Sequence, residues 1–203
     1  DPNNPLERLE KPRLNKLMAG RYELGSVMKA MTVALALDSG DATLDTMVDV
    51  RGGIEADGYR IEDHGRVKRM NVRDVFVRSS NVGTALLAMQ SGPHKQKAFL
   101  KRLGMIEPMS TEAGPMRRAR LPKRWKDIET VTVSYGHGIA MSPLQFAGGS
   151  IALINGGRRL PLTFLSSRNQ WAEQPSRSGV RVLSARTSAA IRQIMRANVT
   201  LPY

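Results

Sequence analysis

Residues 30–37, Ala30-Met31-Thr32-Val33-Ala34-Leu35-Ala36-Leu37, form an almost unbroken apolar run. Gly25-Ser26 in front of it suits a helix start and Ser39-Gly40 behind it a helix stop, so a helix is predicted over 26–39. The stretch 71–78 puts Val72, Val75 and Phe76 on one helical face and stops at Ser79-Ser80-Asn81. A second apolar helix is predicted over 82–89, with Ser91-Gly92 beyond it. A basic amphipathic helix over 93–103 follows, carrying Phe99, Leu100 and Leu103 and closed by Gly104. Pro143 suits a first helical turn, Leu144 to Ile154 supply an apolar face, and Asn155-Gly156-Gly157 ends it. A last amphipathic helix is predicted over 185–198, with Ala189, Ile191, Ile194 and Met195 as its buried side. Residues 47–63 alternate weakly around the turn signals Gly52-Gly53 and Asp57-Gly58, which predicts short strands or a hairpin. Short strands are also predicted over 158–165 and 180–183. Residues 1–21 read as loop with a short helix over 6–17, and residues 105–130, with Pro108, Pro115 and Pro122, as irregular chain.

Composition narrows the class. A chain of 203 residues, 41% hydrophobic, is one domain's worth or a large piece of one. No apolar run approaches the ~20 residues that span a bilayer. No charged-then-apolar signal segment opens the chain, and Asp1-Pro2-Asn3-Asn4-Pro5 reads as the middle of a loop, so a chain cut from something longer is expected. Without cysteine there are no disulfides and no thiolate metal sites. His64, His94 and His137 are too scattered for a metal site, and no cofactor is expected. The net charge of +13 invites a nucleic-acid reading. The basic residues are dispersed, however, and only 5% of residues are aromatic, a poor supply for stacking bases. A basic solvated surface, or one that meets anionic lipid or polymer, is the expectation, with no nucleic-acid partner.

The candidate chemistry begins at Tyr22-Glu23-Leu24-Gly25-Ser26-Val27-Met28-Lys29. Residues three apart on a helix share a face, so the Lys29 amine can reach the Ser26 hydroxyl. An unassisted serine is a poor nucleophile, and a base beside it corrects that. Lysine serves as that base when burial lowers its pKa, and the apolar run supplies such a setting. With fifteen serines and nine lysines in the chain, roughly 0.7 Ser-x-x-Lys matches arise by chance, so the pair needs support from elsewhere. Ser79-Ser80-Asn81 gives some: a loop between two helices can aim a hydroxyl to relay a proton and the amide to hold a substrate carbonyl. Ser167-Arg168-Asn169 has the same form but enters a polar loop, and the first copy is preferred.

These segments together resemble the class B penicillin-binding proteins. Tyr22 to Lys29 resembles their nucleophile motif, an aromatic residue followed by Glu-Pro-Gly-Ser-x-x-Lys. Ser79-Ser80-Asn81-Val82-Gly83 resembles their Ser-x-Asn element, at the family's spacing. Tyr135-Gly136-His137-Gly138 with Ser142-Pro143-Leu144-Gln145 resembles the Gly-x-Gly and Pro-Leu-Gln signature that follows. The likeness runs through nearly the whole chain in order and is strongest to the septal, cell-division transpeptidases. It implies an α/β (α+β) fold of the penicillin-binding and serine β-lactamase type. It also implies Ser26 as nucleophile, Lys29 as base, Ser79 as proton relay, Asn81 as substrate-binding residue, and Gly136 and Gly138 as structural residues near the site. The implied partners are peptidoglycan stem peptides, β-lactam antibiotics and the membrane proteins of the division complex. The implied place is the periplasmic side of the bacterial inner membrane, with an anchoring helix outside this chain.

One departure stands out. The family's Lys-Thr-Gly motif is absent, and Arg186-Thr187-Ser188 lacks the glycine and sits in a helix pattern. Residues 1–203 are therefore expected to be a partial transpeptidase domain: its helical part with short hairpins, most of the central antiparallel sheet missing. Alone it is expected to be inactive, since one missing oxyanion donor costs roughly 3–4 kcal/mol of barrier. A serine β-lactamase or carboxypeptidase, and a non-catalytic β-lactam sensor or scaffold, stay open as alternatives.

Overall fold

The computed structural model describes residues 4, 6, 15–63, 67–165 and 179–200. Its axle is the apolar run. A single 3-10 turn, Gly25–Met28, leads without a break into helix α2, Lys29–Asp38, in which every residue from Lys29 to Ala36 is buried. A helix that is apolar all round can only be stable inside other elements. Five helices supply that cover: α3 (Val72–Val77), α4 (Asn81–Arg102), α5 (Asp127–Ser134), α6 (Pro143–Ile154) and α7 (Ala185–Thr200). A short first helix, α1 (Lys16–Ala19), capped by the Asn15 side chain, lies against α6. The short helix predicted over 6–17 thus overlaps α1 only at its end, and most of that range lies outside the described residues.

The two helices predicted over 82–89 and 93–103 form one rod bent at Gly92, whose φ of 81° and ψ of 163° are non-helical. Pro93 follows; it has no N–H to give a preceding turn and restarts the helix as a first-turn proline. The irregular stretch predicted over 105–130 ends earlier than expected, because α5 begins at Asp127. Asp127 and Glu129 complement the positive end of that helix, and the Glu129 carboxylate accepts the Lys126 N–H at 2.9 Å.

Helix α7 buries Ile191 and Ile194 as expected, with Met195 half-buried, but Ala189 is exposed. Thr187 and Ser188 are buried in its place. The reason is polar: α7 starts against the carboxyl ends of α6 and α2, where spare acceptors need donors. Ser188 Oγ donates to the Leu153 carbonyl at 2.9 Å, and Thr187 Oγ1 donates to Asp38 Oδ1 at 3.1 Å.

Among the described residues strands are short and paired in twos, all antiparallel. β1 (Tyr22–Glu23) pairs with β8 (Ala140–Met141), and β2 (Met47–Asp49) with β5 (Arg69–Asn71). β3 (Ile54–Ala56) and β4 (Tyr59–Ile61) make a hairpin turned at Asp57-Gly58, and β6 (Ser110–Thr111) pairs with β7 (Gly114–Pro115). β9 (Arg158–Arg159) pairs with β10 (Val180–Arg181), so the strand predicted over 158–165 shrinks to its first two residues. No larger sheet forms among the described residues. The result is a helix-rich α+β architecture, with β1–β8 placing the start of α2 beside the loop after α5. Among the described residues no helix is long and apolar enough to cross a membrane.

Candidate active site

Ser26 is the second residue of the 3-10 turn and is exposed to solvent. Lys29, one turn on, is only 2% exposed. Burial pushes its amine down from 10.5 to about 8, partly opposed by the Asp63 carboxylate. Its hydrogen bonds do not go to Ser26. Nζ donates to the Ser79 carbonyl at 2.5 Å and to Ser79 Oγ at 2.8 Å. Ser79 lies between α3 and α4 with φ of 54°, a conformation uncommon for a residue with a side chain. Ser26, Lys29 and Ser79 line one cleft of about 530 Å³, whose apolar walls include Met31, Phe76, Phe146 and Met195.

Asn81 opens α4 and gives its backbone N–H to Asp63 Oδ1 at 2.6 Å; it does not line that cleft. Gly136, with φ of 89°, packs directly on the Gly25 backbone, and its carbonyl accepts the Gly25 N–H at 3.2 Å. A β-carbon at position 136 would occupy the space of the Gly25 carbonyl. The Gly138 N–H donates to Glu23 Oε1 at 3.3 Å, so this loop touches both Gly25 of the Ser26 turn and Glu23 of β1. His137 pairs with Glu23 at 3.2 Å and, as the main cause, holds the Glu23 carboxyl below its ordinary pKa. Arg120 stands 3.6 Å from the same carboxylate.

Sequence reasoning missed Asp63, which follows β4 and carries no motif. Its carboxylate accepts from Ser80 Oγ at 2.5 Å, Asn81 N at 2.6 Å and Val82 N at 3.1 Å. It also missed Glu23 as a tether, although that residue stood inside the motif read for Ser26 and Lys29. The second Ser-x-Asn copy, Ser167-Arg168-Asn169, and His64 lie outside the described residues. Arg186-Thr187-Ser188 is inside α7. Among the described residues no cluster of His, Asp and Glu could hold a metal ion. What the arrangement offers chemically is an exposed hydroxyl, a buried amine that is partly neutral near neutral pH, and a second hydroxyl fixed to that amine.

Residues 1–202 match the family described as the penicillin binding protein transpeptidase domain. The chain is 40% identical over 189 residues to the probable peptidoglycan D,D-transpeptidase FtsI of Caulobacter vibrioides, covering 92% of this chain and 31% of that protein. It is 33% identical over 205 residues to the probable peptidoglycan D,D-transpeptidase PenA of Neisseria flavescens, covering 96% of this chain and 48% of that protein. The solved apo structure of the TP domain from Burkholderia pseudomallei penicillin-binding protein 3 superposes with a TM-score of 0.84 at 31% identity, covering 94% of this chain and 57% of that one. The chain therefore spans less than half the length of these two curated relatives.

Proposed function

The chain belongs to the transpeptidase domain family of the class B penicillin-binding proteins, and on that premise we propose that it carries the acylation site of a septal peptidoglycan D,D-transpeptidase. Ser26 Oγ attacks the carbonyl between two D-alanines of a stem peptide, and Lys29 takes the hydroxyl proton. The tetrahedral oxyanion is held by the Ser26 backbone N–H, which lies in the first turn of its helix where N–H groups lack internal partners. Ser79 passes a proton from Lys29 to the leaving amine, the C–N bond breaks, and D-alanine departs from a Ser26 ester. The amine of a neighbouring stem peptide then attacks that ester, forming the cross-link and returning the proton to Ser26. The family resemblance assigns substrate binding to Asn81, which stands outside the cleft shared by Ser26, Lys29 and Ser79, and Gly136 and Gly138 let the adjacent loop pack on the nucleophile turn. A β-lactam follows the first half of this course: its amide opens on Ser26, and the nitrogen stays attached to the acyl group.

The observation that carries the reading is the Lys29 amine, buried, shifted toward neutrality, and hydrogen-bonded to Ser79 Oγ in the cleft that Ser26 borders. The relatives named as peptidoglycan D,D-transpeptidases support the reaction class; septal wall synthesis on the periplasmic side of the inner membrane, among membrane proteins of division, is our reading of the family resemblance. The test is covalent labelling of the full-length protein with a fluorescent penicillin, followed by the lifetime of the adduct. A Ser26-linked adduct stable over many minutes is expected. Rapid release would turn the assignment to a β-lactamase or carboxypeptidase, and absence of any adduct to a non-catalytic domain.

A further inference from the structure

The acylation chemistry leaves most of the chain's +13 charge unused. The basic residues, dispersed elsewhere, have one dense segment. Residues 113–126 contain no acidic residue, and Arg117, Arg118, Arg120, Lys123, Arg124 and Lys126 stand among them. All six are exposed, while Ala119, Leu121 and Trp125 between them pack against the core. Three anchors hold the backbone of this strip. The Arg117 N–H donates to the Met18 carbonyl at 3.0 Å. Arg120 and Ala140 exchange both backbone bonds, at 2.7 and 3.0 Å, which sets residue 120 beside β8 as β8 stands beside β1. The Trp125 indole N–H donates to Gln96 Oε1 at 2.8 Å, with the Lys97 amine 5.9 Å from the centre of the indole ring. Arg120, Ala140 and Glu23 are thus abreast, and residues directly opposite share a face. The small alanine between them leaves room for Arg120 to lie 3.6 Å from the Glu23 carboxylate. Glu23 comes three residues before Ser26, so the strip starts beside the nucleophile turn and runs from there to α4.

Among the described residues no carboxylate forms an ion pair with Arg117, Arg118, Lys123 or Arg124. Like charges held close together repel, and an anion lying along them removes that repulsion. Three of these four cations are arginines, whose planar fork meets a carboxylate with two parallel hydrogen bonds. A membrane surface fits less well: peripheral binding adds an apolar face that enters the lipid, and here the apolar residues of the strip are turned into the core. Single-stranded nucleic acid needs exposed aromatic faces, and Trp125 is half-buried. On the transpeptidase reading, each stem peptide that still carries both D-alanines ends in a free carboxylate. An uncross-linked strand therefore presents carboxylates in series. We propose that the strip over 117–126 is a binding surface for the uncross-linked peptidoglycan strand, holding the carboxylates of stem peptides next to the one that Ser26 acylates. The inference rests on that reading for its ligand and on the exposed, anchored cations for its geometry. Each transfer releases D-alanine together with its carboxylate, so the cross-linked product carries fewer charges and is held less tightly.

The experiment measures binding of soluble, uncross-linked peptidoglycan strands to the full-length protein by fluorescence anisotropy. The strands are used unmodified and with their carboxylates converted to amides. The wild type is expected to bind unmodified strands, less so as salt is raised, and amidated strands about 10-fold more weakly, the combined worth of several exposed charge contacts. The variant combining Arg117→Gln, Arg118→Gln, Lys123→Gln and Arg124→Gln is expected to lose a similar factor for unmodified strands. Its melting temperature and its rate of acylation by penicillin should stay at wild-type values, since the four side chains stand outside the cleft of Ser26. Equal binding of amidated and unmodified strands by the wild type overturns the proposal without recourse to any variant, and so does undiminished binding by the fourfold variant. Vesicles of phosphatidylcholine with phosphatidylglycerol, and duplex DNA, are measured alongside. Tighter binding of either than of the strands, lost in the same variant, reassigns the strip to lipid or nucleic acid and overturns the proposal. Penicillin labelling keeps the two readings apart. A wild type that binds strands through the strip yet takes no label sinks the transpeptidase reading alone, and a labelled wild type indifferent to strand charge sinks the strip alone.

Discussion

Two helices begin at the same cleft and are finished in opposite ways. The start of α4 is closed: Ser80 Oγ takes the Gly83 N–H, and Asp63 takes those of Asn81 and Val82. The start of the nucleophile helix is open. No side chain caps the turn Gly25–Met28, and none caps α2 where it continues from Met28. Every helix leaves its first N–H groups without internal partners, and most proteins cover them. Here the covered end carries Ser79 and Asn81, the groups that the proposed mechanism needs held still. In the mechanism we propose, the end without a side-chain cap carries the serine, whose N–H receives a charge that exists only during reaction. The contrast separates two uses of one backbone feature, fixing a turn and receiving an oxyanion.

The largest effect that tests this contrast is at the open end. Ser26→Ala in the full-length protein is expected to abolish covalent penicillin labelling, read as the absence of a mass increment on the intact chain. A labelled Ser26→Ala protein would move the chemistry elsewhere and end the comparison. Next comes Lys29→Ala, expected to slow acylation by about 10²–10⁴-fold, the usual worth of a positioned base. The wild-type profile has a definite sign. Below about 8 the Lys29 amine is charged and cannot take a proton; above it the amine is neutral and can. Acylation should therefore rise with pH through about 8 and level off above it, and a flat profile from pH 6 to 9 would remove Lys29 from the base role.

A smaller effect belongs to the closed end. Ser80→Ala is expected to cost about 1–2 kcal/mol in urea unfolding, because it removes a helix cap and leaves Asp63 Oδ2 without its hydroxyl partner. An unchanged unfolding midpoint would mean that Asp63 holds α4 unaided. The smallest is Glu23→Gln. The pair with His137 is largely exposed, so its loss should change stability by less than about 1 kcal/mol, measured as a shift in melting temperature. A larger loss would show that the open end depends on its tether.

Much of this was legible locally. Helix α6 announces itself through Ser142-Pro143 at its start and its apolar face, and α3 through Asn71, whose side chain caps it. The break inside α4 could be read from Gly92-Pro93. Helix α5 was not: Thr130-Val131-Thr132-Val133 alternates like a strand, and what makes it helical is burial against α4. Thr187 and Ser188 replaced Ala189 in the interior because their partners are carbonyl and carboxylate oxygens of distant helices. In the site, Ser26 and Lys29 could be paired from spacing and Ser79 named from the family resemblance, yet the bond between Lys29 and Ser79 spans fifty positions. Asp63 had no local sign at all, since its partners come seventeen to nineteen residues later, beyond a strand and a helix.

The packing of Gly136 on Gly25 has a consequence at the level of inheritance. Every amino acid reachable from a glycine codon by one base change carries a β-carbon, and at position 136 that carbon would fall on the Gly25 backbone. No single missense step at this codon keeps both the loop and the nucleophile turn in place. In a saturation library selected for penicillin labelling, position 136 should therefore be empty of all variants, conservative alanine included, marking a place where adaptation has no first step to take.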